Sequence, residues 1–300
     1  MAATKTTHSN ALNEIFRPQY TEAVYYNSDL LKWFPRPVPH TPGGQYVNWI
    51  VHTAAAGTVQ VFTEGQALPL EGNETTIQAY ISPVYIRDVV RISNILRDAV
   101  GNAGHYNVFD MEIQQKINAI KDLFETSFME STYGLELAID SSSNYAGVTR
   151  SSATYWQSTE TAVSGTLSWT NIRDLIETCR DNDKGGLKQP HWFMPWNQYS
   201  NLFSIAGQPG YKSFPSTDAL QGYSAQQIDG APVTPLGDMT NTVILAVDMA
   251  PGNWYMEEFR PLTIKSLSEA GDDDRYSMSA GLALACFNPK NHGKLTGVTA

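Results

Sequence analysis

The chain has 300 residues, of which 42% are apolar and only 17% charged, and its formal net charge is −10. That length and apolar content supply one large core or two modest ones, while the charge fraction falls below the roughly 25% usual for soluble domains. An acidic chain without a run of Lys or Arg is not a dedicated nucleic-acid binder, although a container whose inner wall faces nucleic acid remains compatible with it. Low charge together with many Tyr, Trp, Thr, Ser, Asn and Gln residues suits extensive subunit contact, because interface cores are poor in charge and rich in aromatics. An ordinary β-rich globular protein has a similar composition, so composition alone does not decide. Met1 to Asn10 is polar and lacks the apolar stretch of a secretory signal. No window approaches the 18 or so apolar residues needed to span a bilayer. The expectation is a chain made in a cytoplasm, with no membrane partner.

Residues 1–40 read as an extended arm, with room for a short helix from Leu12 to Tyr26. The run Trp33-Phe34-Pro35-Arg36-Pro37-Val38-Pro39 forbids regular structure, since each Pro fixes φ and restricts its predecessor. Trp33 and Phe34 must bury their rings, and an arm cannot do so on itself, so another surface such as a second subunit is expected. Residues 41–82 read as a projecting β-hairpin. Tyr46 to Val51 and Thr75 to Ile81 are rich in β-formers, whereas Thr53 to Asn73 is small, polar and punctuated by Gly. An eight-residue arm at about 3.3 Å per residue reaches roughly 26 Å. Such a finger has little core of its own and makes physical sense lying across a neighbour. Val84 to Ile92 follows as a further strand.

Asn107 to Ser131 carries the strongest helical signal. Ile113, Ile117, Ile120, Phe124 and Phe128 fall on one face. Glu112 and Lys116 are spaced for an i, i+4 pair, and Gly134 is a plausible stop. At 1.5 Å per residue this helix is about 37 Å long. Ile139 to Thr161 reads as a loop region and domain junction. Residues 165–248 alternate helix and strand. Ser168 N-caps a helix carrying Ile172, Leu175, Ile176 and Cys179, and Asp181 to Gly186 ends it. His191 to Pro195 is a short buried strand, Asn197 caps a helix through Ile205, and Val243 to Val247 is another buried strand. Residues 254–287 return to strands, with Asp272-Asp273-Asp274 as a turn between the last two. Asn288 to Ala300 reads as a polar tail. There is no internal repeat.

The order of these pieces resembles the Hong Kong 97-like fold of tailed-bacteriophage major capsid proteins. Val84 to Ser93 resembles the strand leaving that family's extended loop. Leu96-Arg97-Asp98-Ala99 with the 107–131 helix resembles the approach to its spine helix, and Phe124 to Met129 with Tyr133-Gly134 resembles the helix end. Trp169 to Asn182, His191 to Pro195 and Asn197 to Ile205 resemble the helix, strand and helix of its axial domain. Gly230-Ala231-Pro232-Val233 through Val243 to Asp248 resembles a later element of the same domain. The resemblance covers about residues 12 to 287.

It implies an α+β capsid fold with an N-terminal arm (1–40), an extended loop (41–82), a peripheral domain with a long spine helix (83–160 and 252–300), and an axial α/β domain (161–251). It also implies a virion head protein, assembled in the host cytoplasm as pentamers and hexamers that enclose double-stranded DNA without sequence-specific binding. A separate scaffolding protein, a portal and a decoration protein are the implied partners. No long charged segment precedes the arm as in members with a fused scaffold. Some members crosslink through a lysine on the extended loop, but no lysine occurs here between Lys32 and Lys116, so shell locking is expected to be non-covalent. A bacterial nanocompartment shell of encapsulin type, holding protein cargo, shares the fold and is the alternative.

A third class, a soluble enzyme or binding module, has little support. Phosphate-loop, dinucleotide, zinc-protease and serine-hydrolase signatures are absent from the sequence. No catalytic, cofactor-binding or metal-ligating residue is assigned, and no cofactor is expected. The histidines at 8, 40, 52, 105, 191 and 292 are widely spaced, and His191 beside Trp192 reads as packing. Asp272-Asp273-Asp274 has the oxygen chemistry for a divalent cation, though a solvated tip is the commoner arrangement. Glu257-Glu258 with Arg260 reads as an interface ion pair. Trp49, Trp156, Trp169, Trp192 and Trp196 could cage a ligand, against core and subunit packing as the better prior. Cys179 and Cys286 read as buried small hydrophobes, with a disulfide the less favoured state.

Overall fold

In a computed structural model, the chain is described over residues 30–40, 44–53, 75–93, 108–130, 134–182, 186–206, 227–267 and 273–299. The strands are β1 (Val38–Pro39), β2 (Val47–His52), β3 (Thr76–Ile81), β4 (Val84–Ser93), β5 (Thr159–Thr166), β6 (Pro190–Pro195), β7 (Gln227–Ile228), β8 (Ala231–Leu236), β9 (Ile244–Asp248), β10 (Trp254–Ser266), β11 (Asp273–Cys286) and β12 (Gly293–Thr299). The helices are α1 (Val108–Glu130), α2 (Leu135–Ala138), α3 (Trp169–Asn182) and α4 (Trp196–Ala206). The helix expected at 12–26, the hairpin tip, and Leu96 to Ala99 lie outside the described residues.

A four-stranded sheet runs in the order β1-β10-β11-β4. Strict alternation on β4 turns Ile86, Val90 and Ile92 inward and Tyr85, Arg87, Val89 and Arg91 outward, as period-two side-chain geometry requires. The inward residues share a core with Ile113, Ile117, Ile120, Phe124 and Phe128 of α1, so the helical face predicted from spacing is the buried one. Lys116 pins α1 to β4 through Asp88 at 2.9 Å. Burial alone would raise the Asp88 carboxyl. Bonds from Lys116 and the Val89 N–H outweigh burial and hold it below the ordinary carboxylate range. Where α1 has ended, Gly134 passes so close that a Cβ would sit 2.7 Å from the Met129 carbonyl oxygen.

A six-stranded mixed sheet runs β5-β12-β9-β6-β8-β7. Its two faces serve different cores. Trp192 and Met194 of β6 and Ile244 and Ala246 of β9 pack with α3 and α4 residues such as Leu175 and Leu202. Phe193, Leu245 and Val247, on alternate positions, join the core beneath the first sheet.

Three expectations change. Residues 288–300 are not a free polar tail: 293–299 form β12 in the six-stranded sheet, parallel to β5 and antiparallel to β9. Gly293 makes this possible, since a Cβ there would lie 2.8 Å from Cys179 Sγ on α3. Residues 159–161, read as loop, begin β5. Asn197 does not cap α4, because the helix starts at Trp196 directly after Pro195. Its Oδ1 instead accepts the Gln198 N–H at 2.9 Å within the first turn. The expected cap of α3 is present, with Ser168 Oγ accepting from the Asn171 N–H at 3.3 Å.

Candidate functional site

The hairpin of β2 and β3 is a separate two-stranded sheet paired in register from Val47↔Ile81 to His52↔Thr76. The Thr53 N–H continues the ladder to the Thr75 carbonyl at 2.8 Å. Its base is buried at Val47, Ala79 and Ile81, while Ile50 further out is 68% exposed. A two-residue turn holds that base. Ala146 and Gly147 both have positive φ, the signature of a type I′ turn, and the Tyr80 N–H donates to the Ala146 carbonyl at 3.1 Å. The Tyr80 ring lies over Gly147, where a Cβ would approach to 2.5 Å, so glycine is required there on two counts. Trp49 packs on Phe287 at 5.0 Å and near Trp156 at 6.4 Å. Beside it opens a cleft of about 510 Å³ lined by Ile50, His52, Tyr155 and Asn288 among others.

The segment at 30–40 is a strap on its own chain: its rings do find another surface, as expected, but that surface is the body of the same chain rather than a second subunit. Phe34 is buried between Phe193 (6.3 Å, stacked) and Trp254 (5.1 Å, edge-on). Trp33 lies on His191 at 4.1 Å and stays 39% exposed. Val38 and Pro39 pair in parallel with Glu257 and Glu258. His40 stacks on Phe259 at 3.9 Å, with Nδ1 2.6 Å from Glu257 Oε1 and Nε2 2.9 Å from the Gly44 carbonyl. Glu257 is thus engaged by the strap within the chain, rather than pairing with Arg260 at an interface.

Behind these surfaces is a buried polar cluster that sequence reasoning missed. Arg150 is fully buried and donates to the carbonyls of Trp156 (2.9 Å), Leu137 (2.8 Å) and Ala138 (2.5 Å). The latter two carbonyls belong to the last residues of α2, where the backbone lacks helical partners. Burial pulls the guanidinium below its usual range, against the opposing field of nearby groups. Tyr145 Oη accepts the Cys286 N–H at 2.9 Å. Asp140 is held far below the usual carboxylate range. Burial opposes its charge, but the N–H groups of Ser143 and Ser142 and the Lys294 ammonium at 3.0 Å prevail.

Cys286 Sγ lies 3.2 Å from His292 Nε2, a contact that invites a nucleophilic reading. The geometry argues otherwise. His292 Nδ1 accepts the Asp248 N–H at 2.9 Å, so a neutral ring carries its proton on Nε2 and donates to sulfur. Burial pushes the thiol up and the imidazole down to about 3. A reactive cysteine needs the opposite charge state, and both residues are sealed from solvent. The pair is a structural hydrogen bond.

The remaining candidates do not converge. Cys179 and Cys286 are both free. Asp273 and Asp274 start β11, and Asp273 is paired with Arg91. Trp192 and Trp156 are buried in different cores while Trp196 is 59% exposed, so the tryptophans form no cage. His191 is buried, bonded to Thr234 Oγ1 at 2.9 Å and packed on Phe193. No grouping of metal-ligating side chains occurs among the described residues, and no helix among them is long and apolar enough to cross a membrane.

A projecting hairpin, a strap, a spine helix packed on one sheet and a second mixed sheet define a shell-building protein of the Hong Kong 97-like class. The profile of the SU10 major capsid protein family matches residues 42–299, and the chain belongs to that family. It is a structural component of the virion, a major capsid protein of a tailed-phage head. The fold is similar to a chain of the Cyanophage A-1(L) capsid asymmetric unit, with TM-score 0.70, 15% identity and 96% of each chain covered. It is similar to the capsid of the native GTA particle, with TM-score 0.66, 14% identity, and 96% of this chain and 94% of that one covered. It is also similar to the holo-SrpI encapsulin of Synechococcus elongatus, with TM-score 0.62, 14% identity, and 99% and 96% covered. No curated protein matches the chain by sequence.

Proposed function

We propose that the chain assembles as pentamers and hexamers into an icosahedral head enclosing double-stranded DNA. Membership of the capsid family carries this reading, and the hairpin supports it. Its base is buried at Val47, Ala79 and Ile81 while Ile50 further out is exposed, and Tyr46 and Tyr80 are partly exposed beside the base, apolar surface that gains burial only against a neighbour. Residues 83–158 with 252–292 form the peripheral lobe in this reading, and 159–251 with 293–299 the axial lobe. Shell locking is non-covalent, since the loop region lacks a lysine. A separate scaffolding protein, a portal and a decoration protein complete the head.

The test is to purify the full chain and image it by negative-stain electron microscopy, with and without co-expressed scaffold. Closed shells, tubes or capsomers are expected, and DNA inside particles made during infection. Small shells holding protein would favour the nanocompartment alternative. A chain that stays monomeric with its scaffold would overturn the reading.

A further inference from the structure

His40 closes the strap onto β10 and meets the start of the hairpin. Its backbone N–H donates to the Glu258 carbonyl at 2.9 Å, next to the pairing of Val38 and Pro39 with Glu257 and Glu258. Its ring stacks on Phe259 at 3.9 Å with 21° between the planes. Nδ1 lies 2.6 Å from Glu257 Oε1, and Nε2 lies 2.9 Å from the Gly44 carbonyl oxygen. One imidazole thus joins three pieces of chain: the strap, β10 and the approach to β2. The His40 and Glu257 side chains are largely covered, at 17% and 12% exposure.

The two oxygens set the protonation state. A carbonyl and an ionised carboxylate accept hydrogen bonds and donate none, whereas a neutral imidazole has a single N–H. A neutral ring can therefore serve Gly44 or Glu257 but not both, and it turns a lone pair toward the oxygen it does not serve. Both contacts are hydrogen bonds only when the pair holds one further proton, as imidazolium with carboxylate or as imidazole with carboxylic acid. Stacking on Phe259 fixes the plane of the ring, so that both nitrogens stay aimed at their oxygens. Residues 41–46 contain no Lys, Arg, Asp or Glu, and the β11 residues across from Glu257 and Glu258 are Ala283 and Leu282. The other charged side chains on the elements that meet here are Lys32 and Arg36 of the strap and Glu258, Arg260 and Lys265 of β10. Tyr255, two residues before Glu257, is raised by burial and by the Glu257 charge.

We propose that His40 and Glu257 form a proton-operated clasp, closed with the shared proton bound and opened by its loss, that sets whether the hairpin approach is fastened to the body of the subunit. The closed clasp holds one proton more than a neutral ring beside an ionised carboxylate. Closure is therefore favoured at low pH and weakens by up to about tenfold per pH unit as the proton leaves. Histidine is the side chain suited to this between about pH 5 and 8. The effect is opposite in sign to that of the buried histidines. His191, beneath Trp33 at the other end of the strap, is held at about 4 and His292 at about 3 by burial. Neither changes charge above about pH 6, so the clasp is read there without them.

The experiment is hydrogen–deuterium exchange of the full chain at about pH 6 and about pH 8.5, with labelling times scaled for the intrinsic pH dependence of exchange. Protection is followed at the amide of residue 40 and across the peptide 38–47, with β9 and α1 as references. Wild type is expected to lose protection at residue 40 by about tenfold or more at the higher pH, with the references unchanged. Two variants, each checked by circular dichroism, separate the clasp from simple packing. Glu257→Gln should stay closed at both pH values, because its amide N–H can donate to Nδ1 of a neutral ring whose Nε2–H serves Gly44. His40→Gln should show no pH dependence, because it carries no titrating group. Wild-type protection that is unchanged or rises with pH would overturn the proposal. So would a folded Glu257→Gln chain that opens with pH as wild type does, or a folded His40→Gln chain that keeps the wild-type dependence. A loss shared equally by β9 and α1 would mean loosening of the whole subunit and would equally overturn it.

Discussion

Replacing Arg150 separates the hydrogen-bonding role of the buried cluster from its packing role. The guanidinium satisfies three carbonyl oxygens at 2.5 to 2.9 Å and stacks 5.4 Å from the Tyr145 ring. Arg150→Met keeps most of the volume but leaves the Leu137 and Trp156 carbonyls without their side-chain donor and Ala138 with only the Ser158 hydroxyl at 3.4 Å. Each buried orphan costs about 1–3 kcal/mol. Relief from burying a cation returns part of this, so the net loss is about 3–5 kcal/mol, in the range for breaking a buried charged contact. Arg150→Lys keeps the charge but lacks the planar fork that meets three acceptors at once, so about half of that loss is expected. Urea unfolding of the soluble chain at pH 7, followed by tryptophan fluorescence, measures both variants. The Met variant should shift the midpoint by about 1 M or more at the slopes expected of this size. A Met variant within about 1 kcal/mol of wild type would mean that water or backbone relaxation satisfies the carbonyls, and the argument fails.

Acid should destabilise the subunit through its buried histidines. Burial holds His191 at about 4 and His292 at about 3, whereas an unfolded histidine titrates near 6.5. Between those values the unfolded chain binds more protons, so stability rises with pH through this window and is lost as pH falls from about 6.5 toward 4. Urea midpoints at pH 7 and pH 5 check it, and His191→Gln should flatten the slope; an unchanged midpoint would refute it. Both thiols should be inert in the native chain, because burial raises Cys179 to about 11 and Cys286 higher still. An aromatic disulfide reagent should react with neither until urea is added, and a fast native reaction would contradict the sealed cluster. Deleting residues 54–72 and bridging with a short turn should leave the subunit folded, since Val47, Ala79 and Ile81 keep their burial. The same deletion should abolish shells by electron microscopy, and unfolding of the truncated subunit would refute the reading.

What the sequence made legible was local. The spacing of Ile113, Ile117, Ile120, Phe124 and Phe128 specifies α1 because its apolar face is complete within one segment. The alternation of β4 and the apolar run at 191–195 are legible for the same reason. β5 and β12 were not, and their composition explains it. Thr159–Thr166 carries mostly small polar residues around Val163, and β12 contains Gly293 and Gly297 with a register shift between Thr296 and Val298. Their stability comes from pairing with each other across more than a hundred residues of chain, which no window reveals. Arg150 was invisible because nothing adjacent in sequence marks a cation destined for burial. Trp33 and Phe34 were recognised as needing cover, yet the cover, Phe193 and Trp254, is far along the same chain.

The six-stranded sheet also constrains how such a subunit can change shape. Adjacent residues Trp192 and Phe193 point into different cores, as do Leu245 and Ala246. A hinge between the two cores would have to shear β6 or β9, whose residues on both faces are buried. Polar bonds close the remaining routes, with Lys294 of β12 held to Asp140, His292 bonded to both Cys286 and the Asp248 N–H, and Trp254 Nε1 donating to the Asp248 carbonyl at 3.1 Å. Packed interiors respond to load as rigid units. Among the described residues, the spine helix and both sheets are therefore tied together through cores that share the six-stranded sheet.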